Sequence, residues 1–297
     1  MANKKKKSLR VATCQFAVEA DIAHNRRWVL KQIAEAAGER ADIVHFSECA
    51  LSGYAGVDIP NVAALDGDEL KTATQDIIAA AKKHRVWVVL GSTHLLDERT
   101  RPHNCLYIIN PQGQIADRYD KRFCTGKDGK QATLDLCHYT PGNRPVTFQI
   151  NGITCGVGIC FDYRFPEIYR ELKQLGVQVL FQSFHNARQS VVRDQNYNIW
   201  KTIVPATMQC RAAENHFWVS ANNSTTRPSM WGSFTVQPDG AITGRLPVHR
   251  PGVLITEMSL THEFFDAPAL WREAAMQQTL HSGRLVEHPR SRDVAAL

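Results

Sequence analysis

Three residues of reactive type stand near the ends of apolar runs that are typical of buried strands. Cys160 closes the run GVGIC, and a polar turn and a helix-like segment follow it. Its thiol is therefore expected at the rim of a sheet, where backbone N–H groups favour a thiolate and can stabilise an oxyanion. Cys160 is a candidate nucleophile, although free cysteines are more often buried structural residues.

Glu48 and Lys121 could supply the charges that such a nucleophile needs. Glu48 ends the run IVHFSE, where a buried carboxylate requires a partner and could act as a general base. Lys121 closes the predicted hairpin in RYDKRF, and its fixed charge could stabilise an oxyanion. Taken singly, each is more typical of a surface acid or a solvated strand end. Together with Cys160 they make a base, a cation and a nucleophile.

These residues lie in a chain that alternates short apolar runs with amphipathic stretches, which predicts one α/β domain with a mixed sheet or two packed sheets. Hairpins are predicted at 104–121 and 145–160, the second turning at Asn151-Gly152. Residues 122–144 read as a long loop, and such loops are often functional. Further strands are predicted at 9–16, 41–48, 86–93, 177–183, 216–224, 232–240 and 252–258, and helices at 23–37, 67–84, 166–176 and 196–214.

Composition excludes several classes of protein. The 297 residues are 43% hydrophobic and 22% charged, which is ordinary for a globular chain and excludes a disordered or collagen-like one. No apolar run approaches the roughly 18 to 20 residues that span a bilayer, so no membrane partner is expected. The net charge of +6 comes mostly from residues 4–7, within a predicted disordered tail at 1–8. No RNP motif or zinc finger accompanies that tail, so no nucleic-acid partner is expected.

The cysteine and histidine patterns give no support to a metal site. None of the eight cysteines forms a CxxC pair, and the twelve histidines form no HxH or HExxH. The N-terminus has lysines but no apolar signal segment after them. We therefore expect reduced thiols, no bound metal and a cytoplasmic location.

An ordered set of motifs resembles the nitrilase superfamily of carbon–nitrogen hydrolases. The motifs are IVHFSECALSGY, YDKRF and GVGICFDYRFPEIYREL, and LRVATCQF, YTPGN, RAAENHFWVSANNS and GSFTVQPDGAI extend the resemblance over almost the whole chain. The resemblance implies a four-layer α-β-β-α sandwich in a single domain over 9–297. It also implies a catalytic triad of Glu48, Lys121 and Cys160.

The chemistry that the resemblance implies is hydrolysis through a thioester. Glu48 would take the thiol proton of Cys160, and Lys121 with the backbone N–H of Phe161 would hold the oxyanion. The expected substrate is a small linear amide or an N-carbamoyl compound, and ammonia or an amine would leave. No cofactor is implied. Nitrile hydrolysis by the same triad is one alternative, and a catalytically impaired pseudo-hydrolase acting in binding or assembly is another.

One position departs from the family pattern. The family commonly has a second glutamate about six residues before the Pro-Gly turn, whereas residues 121–141 contain no glutamate. The matching residue is Asp135, whose side chain is one methylene shorter, and it is a candidate for catalytic support.

The resemblance also indicates a pocket and an assembly. Tyr54, His185 and Asn186 could line the substrate pocket, with packing or hydrogen bonding as equally good alternatives. A homo-oligomer, at least a dimer, is expected through apolar residues of the helices at 166–176 and 196–214 and through a C-terminal segment with Trp271.

Overall fold

Two six-stranded mixed sheets pack face to face between helices. The structure, a computed structural model, describes residues 8–97, 99–187 and 199–295. The strands are β1 (Ser8–Gln15), β2 (Ile43–His45), β3 (Trp87–His94), β4 (His103–Ile109), β5 (Ile115–Asp120), β6 (Thr147–Ile150), β7 (Ile153–Ile159), β8 (Val179–Ser183), β9 (Trp218–Asn222), β10 (Phe234–Val236), β11 (Ile242–Arg245) and β12 (Gly252–Ser259). The helices are α1 (Ile22–Gly38), α2 (Gly67–His84), α3 (Asp135–His138), α4 (Pro166–Gln174), α5 (Ile199–Asn215), α6 (Ala269–Met276) and α7 (Pro289–Arg292).

The strand order puts parallel strands side by side in both sheets. The first sheet runs β12-β1-β2-β3-β4-β5, with β1, β2 and β3 parallel to one another. The second runs β11-β10-β9-β8-β7-β6, with β7, β8 and β9 parallel. Parallel neighbours end at the same edge of a sheet, so the segments that follow them are brought together there.

Three apolar layers define the sandwich. Alternate residues of the first sheet, such as Val44 and Val88, pack against α1 and α2, whereas Ile43 and Val89 face the second sheet. The other face of the second sheet packs against α4 and α5. Because side chains alternate along a strand, each sheet covers two cores at once. The predicted four-layer α-β-β-α sandwich is confirmed.

The helix boundaries follow from local chemistry. Asp21 caps α1 by accepting from the N–H of His24, and Asp66 caps α2 by accepting from the N–H groups of Asp68 and Glu69. Pro166 occupies the first turn of α4, where its missing N–H removes no helical bond. None of the helices within the described residues is long and apolar enough to cross a bilayer.

Several boundaries differ from the sequence-based expectation. The strand expected at 41–48 pairs only over Ile43–His45, so Glu48 lies three residues beyond the strand rather than on it. Ser8, expected in the tail, already begins β1, and residues 1–7 lie outside the described part of the chain. The helix expected at 196–214 is described from Ile199, because 188–198 are not described.

Part of the reasoning behind the expected oligomer is wrong. Ile168, Tyr169 and Leu172 of α4 were expected to be available to a partner, yet all three are buried against the second sheet. The apolar side of this helix is therefore used within the chain.

A buried polar network ties the two sheets together behind the strand ends. The His45 ring lies within hydrogen-bond distance of Ser220 Oγ, 2.8 Å from Nδ1, and of Ser183 Oγ, 2.9 Å from Nε2. Thr13 Oγ1 is 2.6 Å from the same Ser220 Oγ. Burial lowers the pKa of His45 to about 3, so the ring is neutral in the folded protein.

This network predicts a loss of stability in mild acid. The unfolded chain takes up a proton at His45 below about pH 6.5, whereas the folded chain does so only near pH 3, so stability falls as the pH drops from 6.5. We expect wild type to lose about 1 kcal/mol more than His45→Gln between pH 7.5 and 5.5. Urea unfolding at both pH values measures this, and groups that titrate in both proteins cancel. Equal losses in the two proteins would contradict it.

Candidate active site

Glu48 is buried and held by three donors. Its Oε1 accepts from Lys121 Nζ at 2.7 Å and from Asn104 Nδ2 at 2.8 Å, and its Oε2 accepts from the N–H of His185 at 3.0 Å. The chain can turn inward here because Gly91 of β3 has no side chain. A Cβ at that position would lie 2.0 Å from the carbonyl oxygen of Ser47. The close backbone approach fixes where Glu48 points.

Lys121 follows β5 and lies between two carboxylates. Its Nζ is 2.7 Å from Glu48 Oε1 and 2.8 Å from Asp135 Oδ2, and its side chain is 1% exposed. Burial by itself would lower the pKa of Lys121, but the charges of Asp135 and Glu48 raise it well above its ordinary value. Lys121 is therefore a fixed cation, and the N–H of Gly142 holds its backbone by donating to Lys121 O at 2.8 Å.

Asp135 reaches Lys121 in spite of its short side chain. It begins α3, a single helical turn inside the segment that was expected to be a plain loop. The N–H of Thr125 donates to Asp135 Oδ2 at 2.8 Å, and Tyr54 donates its hydroxyl to Oδ1. Burial raises the pKa of Asp135, but the Lys121 charge and these hydrogen bonds outweigh it and leave the pKa below its usual range. Asp135 is therefore ionised at neutral pH.

Cys160 follows β7 at the start of a 3₁₀ turn (Cys160–Arg164), with a φ of 34° that is unusual for a side chain other than glycine. Burial raises the pKa of Cys160 well above its ordinary value, and the Glu48 charge raises it further. The Lys121 charge and the N–H of His185 lower it by less. The expectation that the turn favours a thiolate is thus wrong for the resting state, in which the thiol keeps its proton.

A cavity of about 440 Å³ opens above these groups. Lys121 and Cys160 belong to its wall, as does Phe161, the residue directly after the cysteine. The remaining wall is largely aromatic and aliphatic, and its other aromatic members are Tyr54, Tyr163, Phe184 and Trp200. A pocket of this size and lining suits a small organic molecule with one polar group directed at the charged floor.

The three residues suggested as pocket lining differ in their contacts. Tyr54 lines the cavity, and Lys121 Nζ lies 5.6 Å from its ring centre. Asn186 also lines the cavity, while its N–H donates to Asn223 Oδ1 at 2.8 Å. His185 also lines the cavity, with its imidazole Nε2 3.0 Å from Asp58 Oδ2. It combines this position with hydrogen bonding, because its backbone N–H meets Glu48 and Cys160.

The sequence did not point to Asn104, Thr125 or Asp162, although all three contact this site or its supports. Asn104 stands at the start of an apolar strand, a position where a polar residue needs a buried partner, and this was a usable signal. Thr125 holds Asp135 through both its N–H and its hydroxyl, and no spacing in the sequence singles out this pair. Within the described residues, no group of three His, Cys, Asp or Glu side chains is arranged to hold a metal ion.

Comparison with known proteins decides the family. Residues 10–262 match the sequence model described as Carbon-nitrogen hydrolase. The chain belongs to this family. The predicted membership of the nitrilase superfamily and the prediction of a carbon–nitrogen hydrolase are confirmed.

Several named relatives of this carbon–nitrogen hydrolase are amidases. It is 29% identical to the 2-oxoglutaramate amidase of Bacillus subtilis (strain 168) over 64% of this chain and 66% of that protein. It is 28% identical to an (R)-stereoselective amidase of Pseudomonas sp over 75% of each chain. A variant of the amidase from Nesterenkonia sp. AN1, with the acetamide moiety of fluoroacetamide added at its active-site cysteine, has the same fold. That likeness has a TM-score of 0.74 at 20% identity and covers 94% of this chain and 98% of the other.

The contacts of Asp135 predict the effect of changing it. Asp135→Asn removes one of the two charges that hold Lys121, and we expect turnover to fall about tenfold to a thousandfold. Asp135→Glu should also lose activity, because the shorter acid already touches Lys121 and Thr125 and an added methylene overpacks the site.

Steady-state kinetics and thermal melting of these variants check the prediction. Asp128→Asn is the matched control, since Asp128 lies in the same segment and its side chain is 50% exposed. Wild-type turnover in Asp135→Ala would show that this carboxylate has no role.

Proposed function

We propose that this carbon–nitrogen hydrolase is an amidase that cleaves a small linear amide or an N-carbamoyl compound through a thioester at Cys160. The observation that carries the proposal is the 2.7 Å contact of Glu48 with Lys121 beside the Cys160 thiol, at the base of one cavity. A base, a fixed cation and a protonated thiol are the groups that acyl transfer to sulfur requires.

In the first half-reaction, Glu48 takes the proton of the Cys160 thiol while the sulfur attacks the substrate's carbonyl carbon. The carbonyl oxygen becomes an oxyanion, held by Lys121 and by the N–H of Phe161. The carbon–nitrogen bond then breaks, and Glu48 returns its proton to the nitrogen, which leaves as ammonia or an amine. The acyl group stays on sulfur as a thioester.

In the second half-reaction, Glu48 takes a proton from water, and the hydroxide attacks the thioester carbon. The carbon–sulfur bond breaks, the carboxylic acid leaves, and the thiolate of Cys160 regains the proton. Asp135 supports both halves by keeping Lys121 charged and in place. These steps use the chain's own groups and water, so dialysis against a chelator is expected to leave turnover unchanged.

The cavity favours a compact substrate with an apolar acyl group. Lys121 already meets two carboxylates, so among the described residues of the wall it offers no spare charge to a second anionic group. The polar end of the substrate is therefore its amide or carbamoyl group. The relatives in Bacillus and Pseudomonas, both named as amidases, support an amide over a nitrile.

Loss of Cys160 should abolish turnover without unfolding the chain. We expect Cys160→Ser and Cys160→Ala to keep the wild-type melting temperature and to release no ammonia in a screen of amides, carbamoyl amino acids, ureides and nitriles. Iodoacetamide should inactivate wild type by labelling Cys160. Because Cys210 is exposed and will also react, labelling is measured in a Cys210→Ser background, which also serves as the active control.

The screen distinguishes the alternatives. Activity on nitriles alone would favour the nitrilase reading. Wild type that releases ammonia from none of the compounds would favour a pseudo-hydrolase, and activity retained in Cys160→Ala would overturn the proposed mechanism.

We also propose a homo-oligomer that uses the C-terminal segment. Beyond β12, Leu270, Leu280 and Val286 are 86%, 79% and 75% exposed, which is unusual for large apolar side chains grouped in one segment. Arg272 attaches the segment to α5 by donating to Glu214 O at 2.9 Å. A second copy of the chain would cover these side chains.

Light scattering at micromolar concentration is expected to give at least a dimer. Leu270→Glu combined with Leu280→Glu should shift the mass towards the monomer, because two charges would enter the interface, whereas Glu287→Ala should not. A monomeric wild type would count against the proposal. For location, the eight free thiols are consistent with a reducing compartment, and we propose the cytoplasm.

A further inference from the structure

Lys121 and Cys160 are carried by different sheets, so strand pairing does not set the distance between them. Lys121 follows β5, the edge strand of the first sheet, and Cys160 follows β7 of the second. Hydrogen bonds within each sheet fix each residue only relative to its own neighbours. A catalytic arrangement that works to within about 1 Å therefore needs a separate tie between the two strand ends.

The carboxyl group of Asp162 makes such a tie. Its Oδ2 accepts from the N–H of Ile159 at 2.9 Å and from the hydroxyl of Tyr119 at 2.8 Å, and its Oδ1 accepts from the N–H of Phe123 at 2.9 Å. Tyr119 and Phe123 stand two residues before and two residues after Lys121. Ile159 and Asp162 stand on either side of Cys160. One carboxylate thus holds the backbone before Cys160 and after Lys121, and it also holds the Tyr119 side chain before Lys121.

We infer that Asp162 is a positioning residue, whose ionised carboxylate fixes the Cys160 turn against the end of the Lys121 strand. The inference rests on the proposed function of Cys160 and Lys121. It assigns to Asp162 no contact with substrate, since its side chain is buried behind the turn.

The ionised form of Asp162 satisfies all three donors. A proton on Oδ1 would meet the N–H of Phe123, and a proton on Oδ2 could be kept only if the Tyr119 hydroxyl turned to accept it. Protonation would therefore break the Phe123 bond or reverse the Tyr119 bond, and in either case it removes the charge that strengthens the remaining bonds. An asparagine has the same defect at every pH, because one of its two terminal atoms is a donor.

Burial places this protonation near the working range of pH. It raises the pKa of Asp162 to about 6, although the three hydrogen bonds and the Lys121 charge oppose the rise. The other ionisable groups that face it are Tyr119, Cys124 and Tyr169, and the charge of Asp162 contributes to a raised pKa in each. Below about pH 6 the tie is lost in a growing fraction of molecules.

The first test is Asp162→Asn, compared with wild type per titrated active site. The folded fraction is first isolated by gel filtration, and its sites are then counted by alkylation of Cys160 in the Cys210→Ser background, so unfolded molecules do not count. We expect kcat/KM per site to fall by about a hundredfold, as for a misplacement of about 1 Å. The rate of alkylation should fall as well, because Glu48 and Lys121 no longer face the thiol correctly. A residue that only stabilises the fold would lower the number of sites and leave both rates per site unchanged.

The second test is the acidic limb of the pH profile in Tyr119→Phe, which keeps the ring and removes one donor. The lost hydrogen bond normally lowers the pKa of Asp162, so the pKa rises in the variant. The acidic limb of kcat/KM, expected near pH 6 in wild type, should therefore move to higher pH. Tyr107→Phe is the control, because the hydroxyl of Tyr107 lies 2.7 Å from His94 Nδ1 on the neighbouring strand. The acidic limb of kcat/KM in this variant should stay at the wild-type pH.

The outcomes separate this inference from the proposed function. If wild type turns over amides but Asp162→Asn matches it per site, or if the limb of Tyr119→Phe stays or moves to lower pH, the positioning role is wrong. If wild type and Cys160→Ala behave alike on every substrate, the proposed function itself has failed. Should Asp162→Asn not fold, the Tyr119→Phe profile decides alone.

Discussion

The structure of the site depends on one buried cation held between two carboxylates. An ammonium group removed from water loses several kcal/mol of hydration, and only close opposite charges offset this. Lys121 is 1% exposed and lies 2.7 Å from Glu48 and 2.8 Å from Asp135. Each of these residues comes from a different stretch of chain, after β2, after β5 and in α3. The two carboxylates cannot be buried without the lysine, nor the lysine without them, so the segments must assemble together.

This charge balance also explains the state of the nucleophile. Burial raises the pKa of the Cys160 thiol, and the net negative charge of two carboxylates and one ammonium beside it raises the pKa further. A thiol kept protonated at rest gives up its proton to Glu48 as its sulfur attacks. The polarised carbonyl of the substrate then brings the developing negative charge next to Lys121. The site is therefore arranged to stabilise the charge of the tetrahedral species more than that of the free thiolate.

The ends of the strands were predictable from the sequence, but the contacts between different strands and helices were not. The apolar run before Cys160 is a real strand, because burial on both faces requires such a run. The strand before Lys121 is polar and lies at the sheet edge, and the hairpin that it closes made it predictable. The run before Glu48 is equally apolar, yet its pairing stops at His45, since the chain bends over Gly91 into the gap between the sheets. Likewise, the apolar face of α4 predicted that this face is buried, but not whether it packs within the chain or against a second copy. In the structure Ile168 packs within the chain. An apolar pattern in the sequence indicates that a surface is buried, but only the fold determines which element covers it.

The contacts of Asp135 show how a fold can bring a short acidic side chain to its partner. An aspartate carboxylate lies about 1.5 Å closer to its own backbone than a glutamate carboxylate, so the backbone must come correspondingly near the partner. Here it does, because residues 122–144 include a helical turn that carries Asp135 to within 2.8 Å of Lys121. Thr125 Oγ1 accepts from the N–H of Asp135 at 3.0 Å, and the N–H of Leu136 donates to Thr125 O at 3.0 Å, which draws the helical turn inward. The identity of residue 135 and the local bonds around Thr125 therefore form one adaptation. A longer acid at this position, with the turn unchanged, would bring its carboxylate too close to Lys121.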